Sequence, residues 1–115
     1  MAKLTDETLT LIFQLLRQLA EGIEDASATE WLLFERYGET ERTITELDEL
    51  QSARERQRIS YSRLNSILLT VLEAQPVASN AMLDLLAQAI EQASANLAGS
   101  NASIREIKEV WNLSS

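Results

Sequence analysis

The chain contains no cysteine and no histidine among its 115 residues. Without cysteine there can be no disulfide, no thiolate zinc site and no cysteine nucleophile. Without histidine, the commonest general base and the commonest metal ligand are missing as well. These two absences remove much of the chemistry that enzymes use. We therefore expect a protein that is not an enzyme and that needs no cofactor and no metal ion.

Proline, glycine and aromatic residues are also scarce, with one proline, three glycines and 5% aromatic residues. Few turn signals remain, and no stretch alternates polar and apolar residues with the two-residue period of a strand. Hydrophobic residues make up 45% of the chain, and its length fits one domain. The composition predicts a single all-α domain over residues 1–115.

Positive charge is in short supply, and the formal net charge is −8. Such a balance keeps a small protein soluble and disfavours contact with phosphate groups and anionic lipids. The apolar segment from Thr8 to Leu19 is too short and too polar for a membrane span, and it lacks the basic start of a signal peptide. We expect a cytoplasmic protein with no membrane partner, and nucleic acid is not expected to bind it.

Helical periodicity and capping signals divide the chain into helices over about 5–25, 28–37, 40–75, 79–98 and 103–112. Capping boxes at Ser27 and Ser103 open two of them, and Gly38, Pro76 and Gly99 follow the ends of three. The first two helices could instead be continuous, because no true breaker separates them. The pattern predicts an antiparallel bundle of about four main helices, with one long helix and a short C-terminal helix.

The long helix has a polar break in its heptad seam. Arg54 and Gln57 occupy successive seam positions, Tyr61 occupies the next, and Arg58 lies on the flank of the same face. One interpretation is a solvated segment whose long side chains lie along the seam. The other is a polar layer that fixes register or partner choice, with an acidic residue from a neighbouring helix opposite the arginines.

Four of the six aromatic residues fall in two places. Trp31, Phe34 and Tyr37 share one region of a helix and are predicted to anchor the core, although they could instead line a ligand site. Trp111 is predicted to dock the C-terminal helix onto the bundle, and its alternative role is to anchor a partner protein.

Two features indicate apolar surface in excess of what one bundle needs. The first helix carries Leu11, Phe13 and Leu15 in addition to its heptad seam, and no lysine or arginine occurs from Leu64 to Ile104. A charge-poor helix or a wide apolar stripe is usually buried on more than one side. We expect a homo-oligomer, most simply a dimer.

The leading functional hypothesis is a non-enzymatic helical module for protein–protein interaction and assembly, which associates with itself and acts on another protein. A second hypothesis is nucleic-acid binding or regulation through the arginines of residues 54–63, which their division between opposite helix faces disfavours. A third is a bundle that binds a small ligand through its aromatic residues. The candidate interaction residues are Arg54, Gln57, Arg58, Tyr61, Trp31, Phe34, Tyr37 and Trp111.

Overall fold

A computed structural model describes residues 4–113, which form three helices joined by two short connections. The helices are α1 (Asp6–Tyr37), α2 (Ile44–Glu73) and α3 (Asn80–Trp111), and no strand occurs in this range. Each helix packs against the other two. The short connections make consecutive helices antiparallel, and the result is a rod of 56 × 22 × 17 Å. The all-α prediction is confirmed.

The predicted number of helices is wrong, because α1 continues through the favoured break near Ser27. The alternative, in which the first two predicted helices are continuous, is confirmed. Ile12, Leu19, Ala26 and Leu33 recur every seven residues and are all fully buried, so a single seam passes through the region. The hydroxyl of Thr29 donates to the carbonyl oxygen of Asp25 at 2.7 Å. That bond is an ordinary side-chain bond inside a helix.

The expected stop at Gly99 is wrong for a similar reason. Leu86, Ala93, Ser100 and Ile107 are buried at seven-residue intervals, so the seam of α3 passes through the glycine. Gly99 itself is exposed, and a methyl group placed there would have no neighbour within 4 Å. A glycine inside a helix costs about 1 kcal/mol relative to alanine, and the packing of the seam outweighs this cost. No separate C-terminal helix begins at Ser103.

The second helix is shorter than the predicted 40–75, and its 30 residues are fewer than the 32 of α1 and of α3. Gly38, with φ 70°, ends α1, and its carbonyl oxygen accepts a bond from the hydroxyl of Thr43 at 2.7 Å. Because this hydroxyl is used in the connection, Thr43 makes no side-chain cap bond to the start of α2.

The remaining helix ends have well-formed caps. The Thr5 hydroxyl accepts from the backbone of Thr8, and the Ser79 hydroxyl accepts from the backbone of Met82, as predicted for Ser79. Beyond α3, the amide of Leu113 donates to the carbonyl oxygen of Lys108 at 2.8 Å, and the Leu113 side chain is buried. Leu113 is thus held against the bundle after α3 has ended.

The buried apolar residues form two clusters along the rod. We name the two ends of the bundle by the connections they carry, the Gly38 end and the Pro76 end. Residues 12–19, 64–71 and 86–93 contribute most of the cluster toward the Pro76 end. Residues 26–33, 50–53 and 104–113 supply the cluster toward the Gly38 end. Buried polar side chains lie between the two clusters.

Candidate functional site

One residue from each helix meets between the two apolar clusters. Gln57 of α2 is fully buried, and its side-chain Nε2 donates to Oδ1 of Asn101 on α3 at 3.1 Å. Gly22 of α1 lies against the Gln57 amide so closely that an added Cβ would stand less than 3.0 Å from three of its atoms. We call these three residues the Gln57 layer. A buried polar layer is therefore present, as one interpretation of the sequence held.

The hydrogen bonding around this layer is incomplete. Within residues 4–113, the Oε1 atom of Gln57 and the hydroxyl of Ser100 are buried without a partner. One turn away, Asn96 donates to the hydroxyl of Ser60 at 2.8 Å. A buried polar atom without a partner costs about 1–3 kcal/mol. The layer therefore carries a desolvation cost, and a role in fixing helix register is the hypothesis for why it is there.

The predicted acidic partner exists for one arginine of the polar break. Arg54 donates to a carboxylate oxygen of Glu30 on α1 at 2.7 Å, and both side chains are about two-thirds covered. Arg58 is exposed, which fits the solvated interpretation for that residue. Tyr61, at the next seam position, lies at the edge of the bundle and is just exposed. The break is thus buried at Gln57, bridged at Arg54 and solvated at Arg58.

The four arginines of residues 54–63 do not form one basic surface. Arg56 pairs with Glu49 on its own helix at 3.0 Å, and Arg54 pairs with Glu30. Two of the four charges are therefore already balanced, and the exposed Arg58 and Arg63 are five residues apart on different sides of the helix. This arrangement offers little to a nucleic-acid backbone.

The prediction that Trp31, Phe34 and Tyr37 anchor the core is wrong. Trp31 is 62% exposed, and Phe34 and Tyr37 are exposed as well. The core position is taken instead by Leu33, which continues the heptad seam of α1. The structure also separates the three, because Trp31 and Phe34 lie together whereas Tyr37 lies beside Trp111.

Trp111 docks the end of α3 onto the bundle, as predicted. Its ring meets the ring of Tyr37 edge to face, with 5.0 Å between the centroids. Its Nε1 donates to a carboxylate oxygen of Glu46 at 3.2 Å, and its carbonyl oxygen accepts from the hydroxyl of Tyr37 at 3.3 Å. These contacts tie α3 to both other helices. Trp111 thus has a structural role at the Gly38 end.

Trp31 and Phe34 form one wall of an open groove between α1 and α2 at the Gly38 end. Ile44 and Leu47 of α2 form the opposite wall, and the groove has a volume of about 460 Å³. The remaining lining residues are polar or acidic, namely Ser27, Glu30, Glu39, Asp48 and Gln51. We call this feature the acidic groove.

A second apolar surface lies on the same side of the bundle at the Pro76 end. Phe13 of α1 is 56% exposed, and Leu69 and Leu72 of α2 are exposed as well. Phe13 precedes Trp31 by 18 residues, about five turns, so the two side chains leave α1 on the same side. Leu69 follows Ile44 by 25 residues, about seven turns, and shares its side of α2. We call the outer surface of these two helices the α1–α2 face.

The sequence pattern drew attention to Phe13 but missed Leu69 and Leu72. Both leucines lie outside the heptad seam that continues through Leu64, Leu68 and Val71. A whole number of helical turns separates them from apolar residues near the start of α2, such as Ile44, and this spacing is the signal that would have identified them.

The described residues hold no cluster of three or more acidic side chains suited to binding a metal ion. No helix within residues 4–113 combines the length and the apolar character needed to cross a bilayer. Comparisons with protein-family models, with curated proteins and with solved structures found no match to this chain.

Proposed function

We propose that this chain is a non-enzymatic protein–protein interaction module that forms a homodimer through the Pro76 end of its α1–α2 face. The observation that carries the proposal is the exposure of Phe13, Leu69 and Leu72 on one side of two neighbouring helices. Large apolar side chains grouped in this way are typical of surfaces that another protein covers.

The distribution of charge supports contact between two copies at this end. From Leu64 to Ile104 the only charged residues are Glu73, Asp84 and Glu91. At this end of the α1–α2 face, the α2 half from Leu64 onward therefore brings only Glu73 out of water, whereas the α1 half also carries Arg17 and Glu21 as an exposed ion pair. Few charges on the α2 half favour an isologous contact, because burying charges weakens an interface. The core of a homodimer interface is depleted in charged residues for the same reason.

The α1–α2 face is also large enough for a stable contact. Two adjacent helices of about 45 Å each flank it. A stable interface needs about 800 Å² from each partner, so on a rod of 56 × 22 × 17 Å the contact would cover most of the Pro76 half of this face. Dimerisation would cover the apolar side chains and leave both ends of each rod accessible to other proteins.

The test is a pair of double variants whose sedimentation is compared with that of the parent chain. Phe13→Asp with Leu69→Asp should give a monomer, because the four charges per dimer would be buried in the contact. Leu11→Asp with Ile59→Asp is the matched control. Leu11 is 44% and Ile59 64% exposed, and helical geometry places them about 160° from Phe13 and about 80° from Leu69 around their helices. The control should remain dimeric.

Circular dichroism of both variants checks that the helices are intact. The proposal would be contradicted if the Phe13/Leu69 variant had the same solution mass as the parent chain. It would also be contradicted if only the Leu11/Ile59 control lost the dimer.

A further inference from the structure

We propose that the acidic groove at the Gly38 end binds a basic amphipathic helix of another protein. The groove lies between two helices and presents two pairs of apolar side chains at helical spacing, Trp31 with Phe34 and Ile44 with Leu47. This geometry suits a third helix that places its apolar side between the two walls. Trp31 is the natural anchor, because exposed tryptophan is characteristic of binding hot spots.

The charges around the groove determine which kind of helix fits. Glu30, Glu39 and Asp48 line it, and no lysine or arginine does. Glu30 is paired with Arg54, while Glu39 and Asp48 form no ion pair within residues 4–113. Two unbalanced carboxylates beside an exposed indole attract lysine and arginine, since the indole face also attracts cations.

A second copy of this chain is a poor occupant for the same groove. A symmetric contact through it would place the carboxylates of Glu39 and Asp48 opposite those of the other copy, and like charges opposed in an interface are costly. The occupant assigned here is therefore a different protein, recognised by a helix with leucine-like residues on one side and lysine or arginine beside them.

This inference does not depend on the proposed dimer. Trp31 lies about 27 Å along α1 from Phe13, at the 1.5 Å rise of an α-helix. The two surfaces are thus at opposite ends of the α1–α2 face, and one can fail while the other holds.

The experiment uses a fluorescein-labelled helical peptide of about 15 residues, four turns of helix, with leucine on one side and lysine elsewhere. A second peptide keeps the leucines and replaces every lysine with glutamate. Fluorescence anisotropy at physiological salt should show binding of the lysine peptide and none of the glutamate peptide. Equal binding of both, or of neither, would overturn the proposal.

Two groove variants locate the site. Trp31→Ala with Phe34→Ala removes the apolar wall, and Glu39→Lys with Asp48→Lys reverses the unpaired charges. Each should weaken binding of the lysine peptide at least tenfold. The matched control is Asp84→Lys with Glu91→Lys, which makes the same change in net charge on exposed positions of α3, and it should bind within twofold of the parent.

If the Asp84/Glu91 control variant binds the lysine peptide as weakly as the groove variants do, the attraction depends on net charge alone. That result would contradict the assignment of the binding site to the acidic groove. The solution mass of each groove variant is measured in parallel. If Glu39→Lys with Asp48→Lys dissociates the protein's own oligomer, a second copy of the chain occupies the groove. That result would contradict the assignment of the groove to a different protein. Monomeric Phe13/Leu69 variants that still bind the peptide would separate the two proposals.

Discussion

Gly22 and Gln57 show how a single pair of residues admits a polar side chain into an apolar core. The amide of Gln57 fills the space that a side chain at position 22 would need. The benefit is one hydrogen bond to Asn101 at 3.1 Å, and the cost is an Oε1 atom without a partner among the described residues. The pair lets α1 and α2 approach closely at this point, and a role in fixing their register is the hypothesis for its presence.

Replacing Gly22 with alanine tests this packing. Alanine normally stabilises a helix by about 1 kcal/mol relative to glycine. At this position its methyl group would displace the buried Gln57 amide, and overpacking of a core costs about 1–3 kcal/mol. We expect Gly22→Ala to lower the free energy of unfolding, measured by urea denaturation.

Gly99 provides the control, because it is also inside a helix but has open space around it. Gly99→Ala should raise the free energy of unfolding by about 0.5–1 kcal/mol. A stabilising effect at both glycines would show that the Gln57 amide moves aside freely and that the Gln57 layer is not tightly packed.

The cost of the unpaired Oε1 atom leads to a second prediction. Gln57→Met keeps the length and the unbranched shape of the side chain while removing its polar atoms. Its free energy of unfolding should equal that of the parent or exceed it by about 1 kcal/mol, because the unpaired Oε1 is removed while the Oδ1 of Asn101, which is only half-buried, can bond to water instead. Urea denaturation measures this, and a loss above 2 kcal/mol would mean that the bond to Asn101 is strongly stabilising.

At the scale of the helices, long-range periodicity was a better guide than local capping signals. The seven-residue repeat of Ile12, Leu19, Ala26 and Leu33 is visible in the sequence and is buried as one seam. The capping box at Ser27 matched a local pattern that also occurs inside helices, where a serine followed by an acidic residue simply faces solvent. Capping boxes stabilise a helix start by only about 1 kcal/mol, so a continuous apolar seam overrides them.

The aromatic residues were the part of the candidate site that the sequence placed incorrectly. Helical spacing showed that Trp31 and Phe34 lie near one another, but it did not show which side of α1 faces the core. That choice depends on the whole seam, which favours Leu33. The acidic groove was not predictable either, because it requires the pairing of α1 with α2 that brings Ile44 and Asp48 opposite Trp31.

The two tryptophans should respond differently to truncation. Trp111→Ala removes the edge-to-face contact with Tyr37 and the bond to Glu46, and it should lower the free energy of unfolding by about 2–3 kcal/mol. Trp31→Ala removes a largely exposed side chain and should change stability by about 0.5 kcal/mol or less. Thermal unfolding of dilute protein compares them, and equal losses would contradict the distinction between a docking and a binding tryptophan.

At the scale of the whole molecule, the bundle is a rod with chemically different ends. Its radius of gyration is 17.2 Å, against about 13–14 Å for a compact domain of this length. Ion pairs that join helices, Arg54 with Glu30 and Lys108 with Asp25, lie toward the Gly38 end. The Pro76 end has exposed leucine and phenylalanine in their place, and the absence of basic residues from Leu64 to Ile104 could be seen in the sequence.

The two ends suggest a division of tasks along one rod. Apolar contact at the Pro76 end would join two copies, and each copy would present an acidic groove at its other end. A dimer arranged in this way carries two binding sites for basic helices, so it would bind a partner with repeated sites more tightly than one groove does.

The central claim is self-association through an apolar contact, and the mass of the parent chain in solution tests it most directly. Light scattering after size exclusion, at low and at high salt, should give twice the 12.9 kDa of the single chain in both conditions. The dimer should persist in high salt because salt screens charges but does not weaken apolar contact. A mass of 12.9 kDa in both conditions would contradict the account, and a dimer that high salt dissociates would place its contact at charged residues instead.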